Sequence, residues 1–180
     1  MNRREVLRLL GGVAALPMLT PLSPESLWQV GRSAHARLAA RAGRTLDPRQ
    51  LEAVTRIAEL ILPETDTPGA TSVKVPEFID LILTEWSSAA ERDQFLAGLA
   101  DLDVRSRRTY GGVFLDLRTP DQEAVLRTLD GVIGADGSAE QAFDTLKQLT
   151  IYGYFTSEVV MKDVTREPVI PGRFNGCIPV

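Results

Sequence analysis

The stretch DPRQLEAVTRIAELILP, residues 47–63, decides the fold class of this chain. Asp47 and Pro48 supply an N-cap and a first-turn proline, and Pro63 ends the run. Between them, apolar side chains recur at the three- and four-residue spacing of a helix that buries one face: Leu51, Val54, Ile57, Ala58, Ile61 and Leu62. The sequence therefore predicts a helix that needs other elements packed against its apolar side.

Four more helices are indicated by similar boundary residues further along the chain. Their predicted openings are Pro76, Ser88 with Glu91, Thr119 with Pro120, and Ser138 with Gln141. In the same order, these four helices are predicted to extend to Trp86, to about Arg108 ahead of Gly111-Gly112, to Leu129 and to Val159. Thr119 is expected to be the N-cap of its helix. Because every strong pattern is helical, we predict an all-α fold, a small domain of about five helices with an extended Pro-rich C-terminal arm.

Composition describes a folded, acidic chain with few metal ligands. Apolar residues make up 44% of the 180 and charged residues 24%, which is enough apolar material for a packed core. The formal net charge is −4 at pH 7, so nucleic acid is not an expected partner. One Cys and one His exclude zinc fingers, Cys-ligated iron–sulfur clusters and covalent haem sites held by this chain alone. We expect no metal or cofactor bound by this chain on its own.

The N-terminal residues have the pattern of an export signal. Arg3-Arg4 precedes an apolar run from Leu9 to Leu19 that is too short to span a bilayer, and the surrounding residues follow the twin-arginine pattern. An ordinary secretory signal, or a helical N-terminus with a solvated basic face, is the alternative. Ala34-His35-Ala36 has the A-x-A form of a cleavage site, although it lies late in the chain. A twin-arginine signal predicts a periplasmic protein that crosses the membrane already folded.

Three regions follow from these patterns. Residues 1–36 are expected to hold the export signal and the start of a tether, residues 37–46 a linker, and residues 47–180 the helical domain with its arm at 165–180. The prolines of the arm exclude a regular helix there: Pro168, Pro171 and Pro179. His35 falls in the tether and is expected to be solvated rather than catalytic.

Candidate chemical groups in the domain are few. Carboxylates cluster at Glu64 and Asp66, at Asp101 and Asp103, and at Asp116, but paired acids indicate catalysis only where a pocket raises one pKa. Arg105, Arg107 and Arg108 are interpreted either as cations that favour the C-terminal end of a helix or as a docking patch.

Tyr152 and Tyr154 lie about 200° apart on a helix, so they cannot face one core together. One of them is expected to be exposed or to meet a partner, with Gly153 permitting a close approach. The alternative is that both pack beneath the domain's own loops.

Three separated segments resemble one known family. They are LPETDTPGA (62–70) with VPEFID (75–80), TIYGYFTSE (150–158), and PGRFNGC (171–177). In this order they are similar to the gluconate 2-dehydrogenase subunit 3 family, in which a twin-arginine start is also typical. The resemblance covers roughly residues 47–180.

The resemblance implies a non-catalytic small subunit of a periplasmic flavin-dependent sugar or alcohol dehydrogenase. In that family a large catalytic subunit of the glucose-methanol-choline type binds FAD, and a haem-containing cytochrome usually takes the electrons. The small subunit acts as a chaperone that the large one needs for assembly, solubility and export. Two other functions stay open from the residues alone: an independent enzyme using the acidic residues near Asp66, and a binding module for a small ligand.

Cys177 has no partner cysteine in this chain. In an oxidising compartment it is buried, free, or paired with another chain. The Pro-rich arm has no period with which to build its own core, so we expect it to lie on the flavin subunit. Phe174 would be its apolar anchor, Arg173 would contact a carboxylate, and Cys177 would lie at the interface, within reach of an intermolecular disulfide.

Overall fold

All regular secondary structure in residues 23–38 and 45–164, the part that the computed structural model describes, is helical. The α-helices are α1 (Pro24–Leu38), α2 (Pro48–Ile61), α3 (Val75–Glu85), α4 (Ala89–Tyr110), α5 (Thr119–Leu129) and α6 (Ala139–Thr156). A 3₁₀ turn, Phe114–Asp116, lies between α4 and α5, and a π-helical turn, Val160–Val164, follows α6. The all-α prediction is confirmed.

Most predicted helix boundaries rest on the capping contacts that the sequence indicates. At α2, the Asp47 carboxylate accepts from the Gln50 amide N–H (2.8 Å) and the Gln50 side chain accepts from the Asp47 N–H (2.9 Å). Ser88 and Glu91 form the same reciprocal box at α4, which ends at Gly111 in the left-handed region (φ 80°). These caps satisfy backbone groups that would otherwise lack partners, so they fix where the helices begin and end.

Two predicted boundaries are wrong. Arg118, not Thr119, is the N-cap of α5, and the Thr119 hydroxyl accepts from the Arg56 guanidinium instead. Helix α6 ends at Thr156 rather than Val159. The Ser157 hydroxyl donates to the Tyr154 carbonyl (2.8 Å), which ends the helix with a side-chain contact.

Helix α6 is the centre of the domain, with α1, α2, α3 and α4 packed around it. Its buried residues include Leu146, Leu149, Tyr152 and Phe155, and they join side chains of every other α-helix in one hydrophobic cluster. At the crossing with α4, a Cβ placed on Gly98 would lie 2.4 Å from the Ala142 Cβ and 2.5 Å from the Ser138 carbonyl oxygen. The absence of a side chain at Gly98 therefore allows the two helices to meet backbone to backbone.

The segment expected to be a tether is largely a helix, so that prediction is wrong. Ser23 accepts a hydrogen bond from the Ser26 N–H (3.2 Å) at the start of α1. The side chains of Leu27 and Ala34 are buried, at 7% and 0% exposure. Helix α1 therefore belongs to the packed body of the domain.

Candidate functional site

The first two segments that carry the family resemblance meet at the C-terminal half of α6. The Tyr154 hydroxyl donates to the Pro68 carbonyl (2.8 Å), which ties α6 to the loop between α2 and α3. Gly153 lies against Phe78 of α3, where an added Cβ would be 2.7 Å from the ring. The residues in these segments thus build a junction inside this chain.

Both tyrosines are buried, at 1% exposure for Tyr152 and 5% for Tyr154. They do point in different directions, because the Tyr152 hydroxyl donates to the Leu27 carbonyl of α1 while Tyr154 reaches the loop. Burial raises the pKa of Tyr152. The expectation that one tyrosine is exposed is wrong. Of the two, only Tyr154 bonds to a loop of the domain, as the alternative predicted, whereas Tyr152 bonds to α1.

His35 is also held at this junction. Its Nε2–H donates to the Gly153 carbonyl (2.7 Å), and its ring stacks on Phe78 at 4.7 Å between centroids with 20° between planes. The expectation of a solvated His35 is therefore wrong. A backbone carbonyl and a phenyl ring position the imidazole structurally, and this pairing offers no nucleophile for it to activate.

The burial of His35 makes a pH-dependent stability expected. Burial lowers the pKa of His35 from 6.5 in spite of the hydrogen bond to Gly153, so the folded protein disfavours the charged imidazole. The unfolded chain then binds the proton more readily than the folded one. The free energy of unfolding is therefore undiminished above pH 6.5 and falls as the pH drops below that value.

Urea unfolding at several values from about pH 8 to about pH 5 measures this, a range in which His is the side chain that ordinarily titrates. We expect the wild type to lose stability across the range and His35→Gln to lose distinctly less. Equal slopes for the two proteins would contradict this account of His35.

The acidic residues around Asp66 belong to a surface loop. Glu64 and Asp66 are exposed in the loop that follows α2. The nearby Glu59 carboxylate accepts from the Thr71 hydroxyl (2.7 Å) and from the Glu64 N–H (3.1 Å). Partial burial acts to raise the pKa of Glu59, but these hydrogen bonds outweigh it and the net pKa is lowered. The Glu59 carboxylate of α2 therefore organises the backbone of this loop.

Two of the other candidate acids, Asp101 and Asp103, also have structural partners. Asp101 accepts from the Ala139 N–H (3.0 Å) and from Arg105 (2.9 Å), and Asp103 accepts from the Phe114 N–H (3.0 Å). Within residues 23–38 and 45–164, no group of three or more His, Cys, Asp and Glu side chains could hold a metal ion. No helix in the same ranges is long and apolar enough to cross a membrane.

An open cleft lies between the C-terminal half of α4 and α5. Its volume is about 570 Å³. The lining residues are Asp101, Val104, Arg105, Arg108, Thr109, Tyr110, Val125 and Thr128. Val104 is 57% exposed and Tyr110 is 40% exposed. Arg105, one of the lining residues, pairs with the Glu140 carboxylate at the start of α6. The sequence does not single out Val104 and Tyr110 as site residues, because their exposure depends on tertiary packing.

The arginines at this cleft divide into paired and unpaired ones. Both guanidinium branches of Arg105 contact the Glu140 carboxylate. The hydrogen bond from Arg105 lowers the pKa of Glu140. Arg107 and Arg108 are exposed in the last turn of α4, and no carboxylate in the described part of the chain pairs with them. The cleft therefore combines exposed apolar side chains with one arginine, Arg108, that no described carboxylate pairs with, and Arg107 is exposed in the same helical turn.

The remaining sites expected from the sequence, Arg3, Arg4, Arg173, Phe174 and Cys177, lie outside the described residues.

The structure defines a small all-α domain with an open cleft on its surface. The chain belongs to the family described as gluconate 2-dehydrogenase subunit 3, whose model matches residues 48–172. Membership makes the chain an accessory subunit of a dehydrogenase complex. The match begins at α2, so α1 precedes it. No curated protein and no solved structure matches the chain.

Proposed function

We propose that this chain is the non-catalytic small subunit of a periplasmic flavin-dependent dehydrogenase complex of the glucose-methanol-choline type. Its role is the assembly, solubility and twin-arginine export of the catalytic subunit, which carries FAD, with a cytochrome as electron acceptor. The observation that carries the proposal is family membership over residues 48–172. The Arg3-Arg4 sequence supports the export route.

Shared export has a simple physical basis. The twin-arginine route moves folded proteins, so a single signal can serve two chains if they have assembled beforehand. Assembly then requires a stable docking surface on the small subunit. The cleft beside α4 is the described surface best suited to this, because Val104 and Tyr110 offer apolar area and Arg108 offers charge, with Arg107 exposed in the same last turn of α4. The complementary partner surface would be apolar with acidic residues around it.

Co-expression tests the proposed function directly. The chain would be produced alone, the catalytic subunit alone, and both together, and each product assayed for flavin absorbance and dye-linked dehydrogenase activity. We expect the soluble, active flavoprotein in quantity only from the pair. Activity from this chain alone would instead favour the independent enzyme near Asp66, and capture of a small molecule by the chain alone would favour a ligand-binding module.

Charge and polarity changes at the cleft should weaken assembly. The double variant Val104→Asp, Arg108→Glu places negative charge where we propose acidic partner residues lie, so like charges repel and apolar contact is lost. We expect the dissociation constant of the complex to rise by at least about tenfold, which corresponds to about 1.4 kcal/mol. Titration calorimetry or co-purification yield measures this. Arg49→Glu, an exposed charge reversal on α2, is the control and should leave assembly unchanged.

The C-terminal arm leads to a separate prediction about covalent linkage. We propose that Cys177 forms a disulfide with the catalytic subunit, since it has no partner cysteine in its own chain and the compartment is oxidising. Non-reducing electrophoresis of the native complex, with free thiols blocked at lysis, should show the two chains together, and Cys177→Ser should separate them. Phe174→Ala should weaken association of the arm, which Arg173 would assist through a carboxylate contact. Chains that separate without reductant would refute the disulfide.

A further inference from the structure

We infer that α1 is a permanent part of the mature subunit, so that Ala34-His35-Ala36 is not a processing site and any removal of the export signal takes place ahead of Pro24. This inference rests on the proposed export, and it concerns where the signal ends. The sequence alone offers the A-x-A residues as a candidate cleavage site, and the packing of α1 excludes them.

The first support is the buried face of α1. Ala34, the first small residue of the A-x-A sequence, has 0% exposure, and Leu27 has 7%. Between them, a Cβ placed on Gly31 would lie 2.6 Å from the Thr156 methyl group. Small residues therefore bring the backbone of α1 directly onto the end of α6.

The second support is a set of polar contacts along the whole helix. Near its start, the Leu27 carbonyl accepts from the buried Tyr152 hydroxyl, and near its end His35 donates to the Gly153 carbonyl (2.7 Å). Arg37 pairs with Glu85 and places its guanidinium 5.3 Å from the centre of the Trp86 ring. Cleavage after Ala36 would remove the Leu27 carbonyl, which accepts from the Tyr152 hydroxyl, and the His35 ring, which stacks on Phe78. The Tyr152 hydroxyl and the Gly153 carbonyl would then each lose a hydrogen-bond partner.

The third support is the order of events during export. A signal-cleaving protease reads small side chains on an accessible chain segment, whereas Ala34 is enclosed within a packed helix. Cargo of the twin-arginine route is already folded when it reaches the outer face of the membrane. Helix α1 is therefore docked before the protease meets it, and cleavage after Ala36 would first require the helix to come off α6.

Intact mass and N-terminal sequencing of the subunit from the periplasmic complex provide the first test. We expect a chain that begins at or ahead of Pro24. A chain that begins further along, within α1 or at Arg37, would overturn the inference.

Limited trypsin digestion of the purified full-length chain provides a second test that does not depend on export. We expect slow cleavage after the exposed residues Arg32 and Arg37, and at least about tenfold faster cleavage there in Gly31→Leu, because the larger side chain cannot fit against Thr156. Gln29→Leu, on the exposed side of α1, is the matched control and should digest like the wild type. Wild-type cleavage as fast as that of Gly31→Leu would overturn the inference. A chain that stays in the cytoplasm would refute the proposed export, while the digestion would still decide whether α1 is docked.

Discussion

Replacing Arg3 and Arg4 with lysine is expected to leave both subunits of the complex in the cytoplasm. The twin-arginine receptor reads the guanidinium pair, and lysine keeps the charge without the planar fork that makes two parallel hydrogen bonds. Because the catalytic subunit is proposed to travel on this signal, its activity in the periplasmic fraction should fall to background. Cell fractionation with activity and antibody detection of both chains measures the effect.

The neighbouring Arg8 supplies a matched control, since Arg8→Lys changes the same basic region outside the pair. It should leave export unchanged. If the lysine pair strands only the small subunit, the catalytic subunit has its own route and shared export is wrong. If both chains still reach the periplasm, the signal is of the ordinary secretory kind, which the sequence left as an alternative.

The helices that the sequence predicted correctly are those with strong boundary chemistry. Asp47 with Gln50 and Ser88 with Glu91 form reciprocal caps that depend only on residues three positions apart, so local sequence suffices to place them. Helix α1 has comparable boundary chemistry at Ser23-Pro24, yet it was missed. Its buried face is built partly from Gly31 and Ala34, whose small side chains do not register as an apolar period.

The tyrosines show a different limit of sequence analysis. Helical periodicity correctly places Tyr152 and Tyr154 on different sides of α6, but it predicts exposure of one of them only for a helix with a solvent-facing side. Helix α6 is enclosed by other elements on several sides, so side chains that point apart are still buried. Which helix occupies the centre of a bundle is a property of the whole fold.

The cleft beside α4 could be predicted only in part for the same reason. The arginines near the end of α4 were recognised as a candidate patch, and the helix terminus explains why cations are favoured there. Arg105 is neutralised by Glu140, whereas Arg107 and Arg108 have no such partner among the described residues. This difference depends on where α6 begins relative to α4. Such distinctions between chemically identical side chains arise from tertiary contacts.

The close crossing of α4 and α6 leads to the largest expected loss of stability. A Cβ on Gly98 would come within 2.5 Å of the Ser138 carbonyl oxygen, which is backbone and cannot rotate away. The cavity beside Gly98, lined also by Leu102 and Phe143, has a volume of only about 10 Å³. A leucine there has no space to enter, so the helices must move apart.

We therefore expect Gly98→Leu to destabilise the domain by about 3 kcal/mol or more, since overpacking typically costs about 1–3 kcal/mol and here the backbone must also shift. The gain of about 1 kcal/mol in helix propensity on replacing glycine is too small to offset this. Thermal unfolding should show a melting temperature lower by about 2–4 °C for each kcal/mol lost.

Gly98→Ala should show a smaller decrease of the same sign. Ala100→Leu, at an exposed position two residues further along α4, is the matched control and should change stability by less than about 0.5 kcal/mol. Equal melting temperatures for Gly98→Leu and Ala100→Leu would mean that α4 and α6 do not cross at Gly98.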